Sequence, residues 1–315
     1  AEGGGVADRQ ADGSAERPFA TLQRGLDAAR PGDTVLAAAG TYEGMRSVRS
    51  GEPGAPIVLR GDPGAIIDGR GEANNLVEFT HSHLVLRGFE LTGADKLVVL
   101  IGASQIRILG NLLYDAEGEC LRLRYHSSRN EIAGNRIVGC GRTGFDLDED
   151  SKNGEGVYIG TAPEQLDDKN PTDEPDTSAG NWVHDNEFEV PAECVDVKED
   201  AVDNLVERNR CTGSEDPDGA GFSSRGIGTV FRYNYSHGHV GDGIRLGGDD
   251  DDDGVRTVVR DNRLVGNDGY GLSVHRLPQG EMCGNDIGGN ALGALDMDVD
   301  TDEDARRPDP SRPCR

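Results

Sequence analysis

Lysine is almost missing from this chain, which has only Lys96, Lys152, Lys169 and Lys198 among 315 residues. Basic residues number 32 against 58 acidic ones, for a formal net charge of −26. With no basic face to displace condensed counterions, nucleic acid and anionic membrane are excluded as bulk partners. No apolar run approaches the roughly eighteen residues of a membrane-spanning helix. The six cysteines, Cys120, Cys140, Cys194, Cys211, Cys283 and Cys314, show no Cys-x-x-Cys spacing, which argues against a zinc site and leaves disulfides or buried thiols. Cys314 has a reason to exist if it pins the tail, and Cys283 is its nearest partner by position. Long amphipathic helical patterns are missing, as is the Leu-x-x-Leu-x-Leu signature of leucine-rich repeats. The chain begins at Ala1 rather than Met, as a processed export product would, so a secreted protein is expected; it is also expected to be a monomer.

What is present is a recurring asparagine at the end of short apolar stretches: Asn111, Asn135, Asn186, Asn209, Asn234, Asn262 and Asn285. The gaps are 24, 51, 23, 25, 28 and 23 residues, one period of about two dozen with a single double-length interval. Forty-six glycines and short β-branched runs between turn clusters describe many short strands. A coil that rises one strand spacing, about 4.8 Å, per turn would stack each asparagine on the next and let the amides hydrogen-bond along the column. The expected fold is all-β, a right-handed parallel β-helix (solenoid) with an N-terminal capping helix.

Organisation follows from that period. Residues 1–32 form an N-terminal segment whose Phe19, Leu22, Leu26 and Ala29 fall on one face, predicting a helix over residues 18–30 that plugs the open end of the coil. The solenoid spans 33–298, with an insertion around 144–180, and an acidic, Pro-rich tail covers 299–315. Loops of repeat proteins project from one face, so the insertion is expected to border a cleft. The acidic turn at 249–253 reads as a solvated loop rather than a calcium site.

Aligning the strands that follow each asparagine brings out the chemistry. Leu121-Arg122-Leu123-Arg124, Val157-Tyr158-Ile159-Gly160, Val195-Asp196-Val197-Lys198, Phe222-Ser223-Ser224-Arg225, Ile244-Arg245-Leu246-Gly247 and Leu272-Ser273-Val274-His275 fall in register. Strand side chains alternate, so the second and fourth members of each set point outward. Two outward columns result, one through Arg122, Tyr158, Asp196, Ser223, Arg245 and Ser273, the other through Arg124, Gly160, Lys198, Arg225, Gly247 and His275. A third column holds Glu119, Glu155, Glu193 and Asp242. Carboxylates one turn apart repel, and a hard divalent cation is a common relief. Glu155 and Glu193, with Asp242, are the candidate ligands.

Glu193-Cys194-Val195-Asp196-Val197-Lys198, Gly221-Phe222-Ser223-Ser224-Arg225-Gly226 and Gly243-Ile244-Arg245-Leu246-Gly247-Gly248, separated by Asn209 and Asn234, resemble the core of the alginate lyase and chondroitinase B family of polysaccharide lyases. The resemblance covers roughly residues 181–285. It implies β-elimination on a uronic-acid-containing anionic polysaccharide, with Lys198 as base, Arg225 as acid or stabiliser, and Ca²⁺ on Glu193 and nearby carboxylates. Pro191 stands where that family has a second ligand glutamate, and Gly226 where it tends to have His. Pectate lyases are a second, fainter β-helix resemblance.

The residues support the same chemistry directly. Neutralising a uronate carboxylate acidifies its carbon-5 proton, and a nearby base can then remove it. Lysine beside arginine and a cation is expected to have its pKa drawn toward working pH. Arg122, Arg124, Tyr158, Arg245 and His275 are candidate substrate-binding residues, Tyr158 as a sugar-stacking platform. A uronan C5-epimerase, or a noncatalytic carbohydrate-binding or adhesive β-helix protein, remains the alternative.

Overall fold

The structure is a computed structural model that describes residues 11–149, 151–297 and 309–314. It is a parallel β-solenoid of about eleven turns. One sheet stacks ten strands from Thr34–Ala37 to Met282–Cys283, and the remaining long parallel strands pair from turn to turn along the same axis. Among the described strands, the hairpin Phe145–Asp146 with Ser151–Lys152 is antiparallel. Each middle turn uses three short strands, for example Trp182–His184, Glu187–Glu189 and Val195–Val197. The apolar core runs along the interior, with Phe188, Phe222 and Phe231 fully buried.

Strands of three residues cannot hold a turn alone, and the corners between them explain why the sequence repeats as it does. Each ladder asparagine after Asn111 accepts on Oδ1 from both the backbone N–H and the Nδ2 of the one before it. Asn186 donates to Asn209 Oδ1 at 3.0 Å through both atoms, and Asn209 to Asn234 at 3.0 and 3.1 Å. Nδ2 also donates to a main-chain carbonyl, Val183 O in the case of Asn209. A buried amide is thereby fully used, which Asp, lacking a donor, or Leu could not achieve. The residue before each asparagine turns through the left-handed region: Gly110, Gly134, Asp185, Arg208, Tyr233, Asp261 and Gly284 have φ between 54° and 66°. Glycine adopts this without strain, and Asp bears it better than most residues.

A second ladder escaped the sequence reading. Asn130, Asn181 and Asn204 bond in the same way at the next corner, with buried Thr229 and Thr257 following. They lie five residues before Asn135, Asn186, Asn209, Asn234 and Asn262, so the period was visible twice. The third corner stacks Ser214, His239, Asn267 and Asn290. His239 takes an asparagine's part here, with Nδ1 accepting from Ser214 N at 3.2 Å while its buried Nε2 has no partner.

Burial, with His237 nearby, lowers the His239 pKa from 6.5 to about 3. The folded state therefore keeps this ring neutral, whereas the unfolded chain takes up the proton near 6.5. Its contribution to stability is complete above that pH and falls by about 1.4 kcal/mol per unit as pH drops toward 3. We expect His239→Asn, which keeps the acceptor and removes the titration, to lose less melting temperature than the parent between about pH 7 and pH 4. Equal losses in the two proteins would show that His239 does not sense acid.

The N-terminal helix forms over Leu22–Ala28, shorter than the expected 18–30. Thr21 caps it by accepting from Arg24 N at 3.2 Å, and Pro31 disfavours helical geometry at Arg30. Leu22 and Leu26 join the solenoid core. Three disulfides join Cys120 to Cys140, Cys194 to Cys211 and Cys283 to Cys314. The last pins the tail as expected, and Pro310 O accepts from both Asn285 N and Nδ2, ending the ladder.

Candidate active site on the outer face

The register of the six aligned strands is the one read from sequence. Arg122 pairs with Tyr158, Tyr158 with Asp196, Asp196 with Ser223, Ser223 with Arg245, and Arg245 with Ser273. Outward, however, does not mean exposed. Arg122 and Tyr158 are each 3% exposed and Lys198 8%, because neighbouring turns and the insertion pack over them.

At the centre, Lys198 Nζ donates to Asp196 Oδ2 at 2.7 Å. The two residues are separated by one, on the same face of a strand that ends at Val197. Nζ also lies 4.7 Å from the Tyr158 ring centroid, and the Arg122 guanidinium lies 4.3 Å from it. At 3% exposure the Tyr158 ring is closed to sugar stacking, in contrast to the role expected for it, and its hydroxyl is buried without a hydrogen-bond partner among the described residues. Burial, opposed by the Lys198 charge, raises the Tyr158 pKa further above 10. Arg122 is held by Glu119 at 2.8 Å and Gln165 at 2.9 Å. On the turn after Lys198, Arg225 donates to Glu199 Oε1 at 3.2 Å. Glu199 is 4% exposed, and its other oxygen has no partner. Sequence reasoning missed Glu199 because the chain leaves the strand there and alternation no longer says which way a side chain points.

The expectation that Lys198 is drawn toward working pH needs correction. Burial, the largest single influence, would lower its pKa, but the Asp196 carboxylate together with Tyr158 and Glu155 outweighs it and holds the ammonium well above 10.5. Asp196, which burial would raise, is held below its usual range by Lys198.

Glu155, Glu193 and Asp196 bring one carboxylate oxygen each within 4.8 Å of one another. Burial, then the Glu119 charge, pushes Glu155 up to about 8. Burial, then Asp196, pushes Glu193 up to about 7. Asp196 Oδ1 is buried and, among the described residues, without a hydrogen-bond partner. An all-oxygen, carboxylate-rich set with an orphaned oxygen suits a hard cation. Asp242 is not gathered into it. It stands on the column position of Ala220, two turns beyond Glu193, and its oxygens bind Tyr270 N and Ser273 Oγ.

Arg124 and Arg245 are half-buried and, among the described residues, form no ion pair. Arg124 Nε is buried and unpartnered, and burial, then Arg122, lowers its pKa. His275, also half-buried, closes the column on the far side. Gly160, at φ 94°, leaves the space beside Lys198 open, since a Cβ there would stand 3.3 Å from Lys198 Cβ.

No family model matches the chain, and no curated protein does. Several solved structures share its fold. An alginate lyase from Paenibacillus sp. str. FPU-7 superposes with a TM-score of 0.73 at 21% identity, over 89% of this chain and 96% of that one. Pectate lyase Pel9A gives 0.64 at 14%, over 93% and 76%. A lacto-N-biosidase from Eubacterium ramulus gives 0.56 at 13%, over 91% and 66%. At these identities the likeness is one of fold, and the chemistry has to be argued from the site.

Proposed function

We propose that this protein is a polysaccharide lyase that cleaves a uronic-acid-containing anionic polysaccharide by β-elimination. The observation that carries the reading is a line of cations on an otherwise acidic protein: Lys198 and Arg225 on adjacent turns, flanked by Arg124 and Arg245, neither of which forms an ion pair among the described residues. A half-buried guanidinium without a directly paired carboxylate is costly, and the carboxylates of a polyuronate would supply one on each side of the scissile bond. Lyases among the fold neighbours act on alginate and pectate, and three disulfides suit an exported protein.

Lys198 serves as base toward the carbon-5 proton, and Arg225 meets the leaving oxygen from the next turn, about 4.8 Å away. Guanidinium seldom gives up a proton, so Arg225 acts by charge. Glu155, Glu193 and Asp196 would hold Ca²⁺, which when bound neutralises the uronate carboxylate and acidifies the carbon-5 proton. A second reading has the Tyr158 hydroxyl carry the proton with Lys198 as its neighbouring cation, and the orphaned phenol favours it.

The deciding experiment is ultraviolet absorbance on a panel of alginate, polygalacturonate and chondroitin sulfate, since elimination alone creates a double bond conjugated to the carboxylate. Proton exchange at carbon 5 without absorbance would instead indicate an epimerase, new reducing ends without absorbance a hydrolase, and binding alone an adhesive module. For the cation, added Ca²⁺ is expected to raise the melting temperature of the parent and not of Glu155→Gln/Glu193→Gln. A melting temperature and activity both indifferent to chelator and to Ca²⁺ would remove the metal from the scheme.

A further inference from the structure

The double-length interval between Asn135 and Asn186 holds a complete cleft strand, Val157–Ile159, with an added arm on each side. The second arm, residues 161–180, leaves the end of that strand and folds back over the preceding turn. Gln165 Oε1 accepts from Arg122 Nη2 at 2.9 Å. Asp176, fully buried, accepts from Tyr125 N at 2.7 Å, His126 N at 2.8 Å and Thr161 Oγ1 at 2.8 Å, which fastens both ends of the arm to the turn of Arg122. The next two turns of this column are buried as well. Val99, the register partner of Arg122, is 1% exposed, and Glu78 beyond it is held by Arg46 at 2.9 Å and Asn75 at 2.9 Å. On the opposite side of Lys198, Arg225, Arg245 and His275 stay partly open to solvent, as does Arg124 at the edge of the arm. The acidic turn at 249–253 is tied back by Arg276 to the carbonyls of Asp249 and Asp250, and none of its hydrogen bonds or ion pairs reaches Arg245 among the described residues.

Charge points the same way. Residues 161–180 carry Glu164, Asp167, Asp168, Asp173, Glu174 and Asp176 against Lys169. A polyanion running along the outer face would have to cross this acidic arm unscreened, and like-charge juxtaposition of that kind is costly.

We propose that the 161–180 arm closes the cleft one or two sugars beyond the scissile bond, making the enzyme exolytic. This rests on the lyase reading above. Two turns separate Lys198 from the covered Arg122, roughly 10 Å, which leaves space for the terminal one or two sugars of a chain. The rest of the polymer lies across Arg225 and Arg245.

The test is the size of the products at early times on the best polyuronate of the panel, read by size-exclusion chromatography beside viscosity. The parent is expected to release unsaturated mono- or disaccharides from the outset, with viscosity falling slowly relative to ultraviolet absorbance. Replacing residues 163–174 with a short Gly-Ser segment, while keeping Thr161 and Asp176, is expected to shift early products to longer oligosaccharides and to steepen the viscosity loss per bond several-fold. If that variant does not fold, Gln165→Ala combined with Asp167→Ser and Asp168→Ser should move the distribution in the same direction. A parent that produces long oligosaccharides early while absorbance rises would overturn the closed end and leave the lyase reading intact. Folded variants with unchanged product sizes would acquit the arm. No absorbance rise on any polymer would sink the lyase reading and this inference with it.

Discussion

Replacing Lys198 with alanine is expected to lower turnover on the best polyuronate by about a hundredfold or more, the usual cost of removing an essential base or its electrostatic equivalent. The substitution also strands Asp196, which is 2% exposed, and breaking a buried pair from one side costs about 3–5 kcal/mol. Activity should therefore be read well below the variant's own melting temperature. Because Asp196 holds the Lys198 ammonium, the fraction in the amine form is small at neutral pH, and kcat/KM of the parent should climb as pH rises through the alkaline range. Arg225→Ala is expected to lose turnover on a similar scale through loss of charge at the leaving oxygen. The two roles assigned to Lys198 separate cleanly: Lys198→Arg keeps the cation and loses the base. Should Lys198→Arg retain activity while Tyr158→Phe abolishes it, the proton belongs to Tyr158. A Lys198→Ala protein with near-parental turnover would end the assignment altogether.

Asn209→Ala is expected to be the most damaging single substitution in the scaffold. Four hydrogen bonds go with the amide: those from Asn186 N and Nδ2, and those to Val183 O and Asn234 Oδ1. At a net contribution of about 0.5–1.5 kcal/mol per hydrogen bond, the four bonds together are worth roughly 2–6 kcal/mol, a large share of the whole stability of an ordinary domain, about 5–15 kcal/mol. The expected result is a melting temperature lowered far more than by Asn290→Ala, which truncates the half-buried last member of the third corner. A denaturant midpoint for Asn209→Ala within experimental error of the parent would mean that the column stacks without carrying the fold.

Much of this was legible because a solenoid converts sequence period into spatial register. Asn186, Asn209 and Asn234 announced the turn length, and strand alternation then placed Arg122, Tyr158, Asp196, Ser223 and Arg245 in the one column they occupy. Glu155 and Glu193 fell one turn apart by the same count. Asp242 shared the column but not the group, because the turn of Ala220 lies between them. Asp196 joins the carboxylates and also grips Lys198, which a column diagram cannot show because it fixes positions along the strand and leaves rotamers free.

What the sequence by itself determined, then, is the coil, its register and the identity of the residues on the outer face, because each depends only on a repeat and on the period-two geometry of a strand. What the tertiary structure decided is which of those residues are buried, which way their protons lean and where the cleft ends. Those properties depend on contacts made across turns and by a loop that follows no period. Asp196 raises the pKa of Lys198 strongly because the pair is shielded from water, even as burial itself opposes the charge. Gln165 reaches Arg122 from 43 residues away, a contact that no spacing rule encodes.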